Sequence, residues 1–318
     1  MNSFFKLPNK SPKLGFNDVL IKPIKSQISD ISKVNLQINM PFKMENRTIG
    51  WSGVPIISSN KYNVTNLNTF NVLKEYDYMS CFPNYFNEYF LNITEIPKEL
   101  YYTDHYIISC GLSDYVYAIQ LIDRLRKDYG ISVKFFCLDI PNGYISELQD
   151  ISLTIRNYYP ELIIIAGNVV TPDITYDLIK YSGVNIVKCG LINSPEKVLK
   201  TGIGYPQISA IMECADAAHE ADGYLISDGG IRTTADLTKA FAAGADMVMA
   251  GGIFLNHLES PGDMCTLNGV EISQKNNNNK PLKSTILDIN KNLKTACTYV
   301  NADNLDDFYL NSQFITIT

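Results

Sequence analysis

Histidine is scarce in this sequence, with three in 318 residues, at positions 105, 219 and 257. Its seven cysteines (81, 110, 137, 189, 214, 265 and 297) are scattered, and no Cys-x-x-Cys pair occurs. No group stands at metal-ligand spacing, so no bound metal is expected, and an odd, dispersed set of cysteines implies reduced thiols rather than a disulfide framework. Blocks of Lys or Arg are also missing: 27 basic residues face 33 acidic ones, and the sequence pI is about 5.2. That removes the electrostatic footprint of a general nucleic-acid binder and leaves any phosphate to backbone amides in a local pocket. No apolar run approaches the ~20 residues of a membrane span, and the polar opening Met1 to Leu14 has no signal-peptide core. A soluble, cytoplasmic protein with no membrane partner is expected. His105 is expected to pack in a strand, His219 to close a helix and His257 to lie in a loop.

What is present is an alternation of elements. Short apolar runs fall at Val54 to Ser58, Tyr78 to Phe82, His105 to Cys110, Val133 to Leu138, Leu162 to Ala166, Asn185 to Cys189, Tyr224 to Ser227 and Asp246 to Ala250. They are near-continuously apolar, as parallel strands buried on both faces are. Amphipathic stretches separate them, among them Asp114 to Tyr129, Ile145 to Tyr158, Asp173 to Tyr181, Gln207 to His219 and Thr234 to Ala243. Eight strands alternating with helices predict an α/β protein of the (β/α)8 TIM-barrel class. No Gly-x-Gly-x-x-Gly follows the first strand, which weighs against a dinucleotide-binding sheet. The whole chain, 1–318, is expected to be one barrel domain with residues 1–50 as an N-terminal extension. The asparagine run 276–279 lies in a polar stretch, Asn268 to Lys283, that reads as a solvated loop.

Barrel chemistry gathers at the C-terminal ends of the strands. Strand four ends in Leu138-Asp139-Ile140, strand five in Ala166-Gly167-Asn168, strand seven in Ser227-Asp228-Gly229-Gly230 and strand eight in Ala250-Gly251-Gly252. The two glycine pairs let backbone amides approach a phosphate closely, or simply make tight strand-to-helix turns. Asp228 is placed to accept hydrogen bonds from ribose hydroxyls.

These residues carry a resemblance. Lys200-Thr201-Gly202-Ile203-Gly204-Tyr205-Pro206-Gln207-Ile208-Ser209-Ala210, continued by Met212-Glu213-Cys214-Ala215-Asp216-Ala217-Ala218-His219, resembles the corresponding segment of GMP reductases in the IMP dehydrogenase/GMP reductase family. Leu14 to Pro23, Trp51 to Ile56 and Thr295 to Val300 extend the likeness over almost the whole chain. It implies a TIM barrel, usually a homotetramer, that converts GMP to IMP and ammonia with NADPH. It also implies that Ser227, Asp228, Gly229, Gly230, Gly251 and Gly252 hold the purine nucleotide, and that Asp139, Gly167 and Asn168 lie near the cofactor.

The likeness fails where the family's chemistry resides. The reaction needs a thiolate that attacks carbon 2 of the guanine, carried in a Gly-Pro-Gly-Ser-Val-Cys-Thr-Thr stretch after strand six. This chain has Lys188-Cys189-Gly190-Leu191-Ile192-Asn193-Ser194-Pro195-Glu196 there, about two residues short and without the cysteine or the threonine pair. A lysine expected after strand two is replaced within Phe82-Pro83-Asn84-Tyr85, and the Met-Asp after Asn60 by Lys61-Tyr62. The flap over the purine is shortened, within 263–285. Substitutes for the nucleophile are few: Cys189, at the end of an apolar strand, where an inert thiol is the ordinary case, and Ser194 and Glu196 in the loop. The expectation is a catalytically silent family member that still binds GMP or IMP weakly. The alternatives are an active reductase with an unrecognised nucleophile and a purely structural barrel.

Overall fold

In a computed structural model, residues 12–191, 195–267, 270–274 and 280–317 are described. Eight parallel strands close a barrel. They are β1 (Ile56–Ser58), β2 (Met79–Phe82), β3 (Tyr106–Cys110), β4 (Phe135–Asp139), β5 (Ile163–Val169), β6 (Ile186–Cys189), β7 (Tyr224–Asp228) and β8 (Met247–Ala250). Helices α1 (Leu67–Lys74), α2 (Tyr85–Asn92), α3 (Tyr115–Tyr129), α4 (Ser146–Tyr158) and α5 (Pro172–Ser182) follow the first five strands in turn. Two helices, α6 (Pro195–Thr201) and α7 (Gln207–Glu220), follow β6; α8 (Thr234–Ala242) follows β7, and α9 (Leu282–Tyr299) and α10 (Leu305–Asn311) end the helical shell. Local chemistry starts these helices where the sequence places them. Pro172 occupies the first turn of α5, and Thr233 caps α8 in a reciprocal box with Asp236.

Alternation along each strand builds two apolar layers. One lies between strands and helices; the other fills the barrel with Ile57, Met79, Ile107, Phe135, Ile165, Ile226 and Met249 among others. A hairpin of Ile38–Lys43 against Thr48–Gly53 joins this inner layer and closes the barrel floor, so part of the expected N-terminal extension belongs to the barrel core. Phe42 and Trp51 meet Phe135 edge to face, with ring centroids 6.1 and 6.3 Å apart. Each buried aromatic of this kind contributes about 2 to 3 kcal/mol.

Two expectations need correction. The stretch Asn268 to Lys283 is not simply a solvated loop: Val270–Gln274 pairs antiparallel with Asp263–Leu267, and α9 begins at Leu282, while the asparagine run 276–279 lies outside the described residues. His105 sits just before β3 rather than in it, half-buried, because the β2–β3 pairing in the barrel begins at Tyr106. His219 ends α7 against Asp246, and His257 is buried with its Nε2 2.7 Å from Thr285 Oγ1.

Candidate active site at the barrel mouth

The strand period of two decides which side chains reach the mouth. Along β6, Ile186 joins the inner layer while Val187 and Cys189 join the outer one, so Lys188 points inward. Its side chain is fully buried, with Nζ 2.6 Å from Asp139 Oδ1 and 3.1 Å from Asp228 Oδ2. Gly167, the partner of Lys188 across β5 and β6, makes room for it: a Cβ there would lie 2.5 Å from the Lys188 carbonyl oxygen and 2.8 Å from its Cβ. Further hydrogen bonds extend the pair of carboxylates into a network. Asn60 Nδ2 donates to Asp139 Oδ2 at 2.7 Å and to Ser109 Oγ at 3.1 Å, and Ser109 Oγ donates to the Phe82 carbonyl at 2.6 Å. Asn168 Nδ2 donates to Asp228 Oδ2 and to the Gly190 carbonyl, both at 2.8 Å.

Charge is therefore fixed in this layer. Burial alone pushes the Lys188 ammonium down, but the carboxylates of Asp139 and Asp228 override it and hold its pKa well above the ordinary lysine value. Burial pushes the Asp139 carboxyl up; the Lys188 charge, with hydrogen bonds from Lys188 and Asn60, reverses this and leaves it below the ordinary carboxylate value. At neutral pH the network holds one cation between two carboxylates.

Gly190 joins β6 to its loop with φ +151°, and its N–H donates to the Val169 carbonyl at 2.9 Å. A Cβ on it would sit 1.8 Å from the Asp228 backbone oxygen, a contact no rotamer can relieve. Gly190→Ala is therefore expected to lose about 2 to 3 kcal/mol in urea unfolding, because the strand ends of β6 and β7 must separate. An unchanged urea midpoint would mean that β6 and β7 can part here without cost.

The sequence candidates divide accordingly. Asp139, Asn168 and Asp228 meet in one network, with Gly167 packed against Lys188 beneath it. Cys189 does not join them: its thiol lies between β6 and α7, where the Cys214 thiol and burial together push its pKa well up. Ser227 is likewise turned outward by the alternation that sends Asp228 inward, and its buried hydroxyl has no partner. Its side chain thus faces the helical layer rather than the mouth. Ser194 lies outside the described residues, as does the side chain of Glu196 in α6. Cys81, Cys110, Cys137, Cys214 and Cys297 are buried like Cys189. Asp228, Gly229, Gly230, Gly251 and Gly252 line a cleft of about 260 Å³ beside the network.

Comparison with known proteins gives this mouth its context. A family model described as IMP dehydrogenase / GMP reductase domain matches residues 116–278. Proteins named GMP reductase from Buchnera aphidicola subsp. Acyrthosiphon pisum (strain Tuc7) and Shewanella pealeana are each 35% identical, over 342 and 337 residues, with 96% of this chain and 95% of theirs covered. One from Shigella flexneri serotype 5b is 34% identical over 343 residues, at the same coverage. The chain belongs to the IMP dehydrogenase/GMP reductase family. The sequence points to the family and the barrel but not to two residues of this GMP reductase homologue's mouth, Lys188 and Asn60. For Lys188 a signal existed: one lysine inside a strand otherwise apolar and buried, where an unpaired charge is too costly to keep. Asn60 gave none, because its role depends on where β1 ends relative to β3 and β4. Among the described residues no helix is long and apolar enough to cross a membrane, and no group of three metal-ligating side chains occurs.

Proposed function

We propose that this GMP reductase homologue binds a purine mononucleotide, GMP or IMP, at the barrel mouth and has lost the covalent step of reductive deamination. The observation that carries this reading is the contrast on β6. Lys188 turns inward and fixes Asp139 and Asp228, whereas Cys189, the thiol nearest in sequence to the expected nucleophile, turns outward into an apolar layer. On this reading the mouth keeps its anchoring groups while the expected cysteine is missing from the strand-six loop.

NADPH, the cofactor implied by the family reaction, fits these residues poorly. Asp139 is committed to Lys188 and Asn60, and Gly167 serves the close packing of β5 on β6. We therefore read Asp139 and Gly167 as structural residues of this layer. Asn168 orients Asp228 through its Nδ2, while its buried Oδ1 lacks a partner.

Calorimetry tests the reading. Wild-type protein is expected to bind GMP or IMP with Kd between tens of micromolar and millimolar, about 4 to 6 kcal/mol. Asp228→Ala should weaken binding by about 1.5 to 3 kcal/mol if its carboxylate accepts the ribose hydroxyls. Equal affinities would remove Asp228 from the site, and no heat at millimolar nucleotide would leave a barrel without a ligand.

A further inference from the structure

We propose that Lys61 and Arg232 form a two-cation clamp for a phosphomonoester dianion in the cleft between the ends of β1, β7 and β8. The proposal rests on the mononucleotide reading and supplies the side chains that would hold the phosphate. Both residues line the cleft, and both are exposed. Among the described residues neither forms an ion pair. Their stems flank the glycine pair after β8: a Cβ on Gly251 would lie 3.8 Å from Lys61 Cδ, and one on Gly252 would lie 3.9 Å from Arg232 Cγ.

Their backbones are held in place. The Lys61 carbonyl accepts from the Val64 and Thr65 amides at 3.0 and 3.2 Å, and the Arg232 amide donates to Asp236 Oδ2 at 3.1 Å. The same cleft is lined by Ser59, 4% exposed, whose Oγ has no hydrogen-bond partner and lies 2.8 Å from where a Gly251 Cβ would be. An unpartnered hydroxyl in the cleft wall is a donor waiting for an acceptor, since buried polar groups are otherwise paired.

Electrostatics give the clamp its purpose. Asp139 and Asp228 against Lys188 leave the network with one excess negative charge, which repels phosphate. Lys61 and Arg232 add two positive charges and bring the balance to +1. A phosphomonoester carries about −1.5 to −2 at neutral pH, matching two cations, one of which offers a planar fork suited to bidentate contact. The glycine-rich loop that carries phosphate donors in the family is replaced after β6 by Leu191-Ile192-Asn193-Ser194. The two cations restore, from the loops after β1 and β7, the positive field that this replacement removes.

Calorimetric titrations with GMP, guanosine and inorganic phosphate, on wild type, Lys61→Gln, Arg232→Gln and the double variant, test the clamp. Both side chains are exposed, so the variants are expected to fold, and thermal melting checks this. Each single change should weaken GMP about 5- to 20-fold and the double change about 50-fold or more, with guanosine unaffected and the salt dependence of GMP binding flattened. Unchanged GMP affinity in the double variant, or equal wild-type affinity for GMP and guanosine, overturns the clamp and leaves the mononucleotide reading intact. Phosphate bound by wild type and lost in the double variant, with no GMP binding, upholds the clamp and overturns the nucleotide. Silence with all three ligands overturns both.

Discussion

Lys188→Met is expected to lower the stability of this barrel by about 3 kcal/mol at pH 8, the low end for breaking a buried ion pair because both carboxylates keep some contact with water. The substitution preserves the stem and its packing against Gly167 but removes the only charge that touches both Asp139 and Asp228 in the network described. The pH dependence distinguishes lost charge from lost packing. In wild type the depressed Asp139 contributes stability above its unfolded value near 3.9, lost as pH falls through its folded value. The raised Lys188 contributes below the ordinary lysine value of 10.5, lost as pH rises through its folded value. Between about pH 5 and 10 the network is therefore flat. In the variant the two carboxylates face each other without the Lys188 charge, so one takes up a proton in the folded state more readily than when unfolded. Stability then falls as pH rises through that folded value, and the variant is hurt less at pH 5 than at pH 8. Urea midpoints of both proteins at the two pH values check this. Parallel losses would show that Lys188 acts by packing alone.

The same residue explains why the barrel was legible in the sequence and the mouth only partly so. Parallel strands covered on both faces read as apolar runs, and Tyr106–Cys110, Ile186–Cys189 and Met247–Ala250 lie within the runs that announced them. Near-continuous apolarity carries little information about which residues face in, so Cys189 and Lys188 looked alike as strand-end residues. Only the register of β5, β6 and β7 separates them. Strand five shows a different limit. It runs on through Gly167 and Asn168 to Val169, past the apolar run, because the Ile140 and Gly143 amides donate to the Gly167 and Asn168 carbonyls, and no hydropathy pattern reports such pairing. The floor hairpin was hidden for the opposite reason. Met40, Phe42 and Trp51 alternate with polar residues over two short segments, and their partner, the open end of the barrel, exists only once eight strands have closed.

The largest expected effect concerns rate. Purified protein given GMP and NADPH is expected to show no loss of NADPH absorbance above background. Displacing the amine at carbon 2 of guanine requires a nucleophile that adds to the ring before hydride arrives, and a thiol serves only as its thiolate. Burial raises the thiol of Cys110 well above the ordinary value and that of Cys297 to about 12, while a neighbouring thiol together with burial raises Cys137 (beside Cys81) and Cys189 (beside Cys214). At neutral pH a thiol of pKa about 12 is ionised in only about one molecule in 10⁵, and such a thiol has no path to a ligand at the mouth. Residues of one catalytic unit fail together, so the absence of a cysteine from the strand-six loop is by itself expected to remove several orders of magnitude, and restoring one neighbour is not expected to return them. Cys81 and Cys214 are buried as well, and although contact with the Cys189 thiol lowers the Cys214 thiol, Cys214 lies in the outer layer on α7. That leaves Cys265, on the strand Asp263–Leu267 of the hairpin that follows β8. It supplies the decisive control. NADPH loss that depends on GMP, persists in Cys189→Ala and vanishes in Cys265→Ala would establish a working reductase whose nucleophile has moved from the strand-six loop to that hairpin. The same loss vanishing in Cys189→Ala would instead mean that β6 turns over in solution to bring its thiol inward, at the cost of expelling Lys188 from between its two carboxylates.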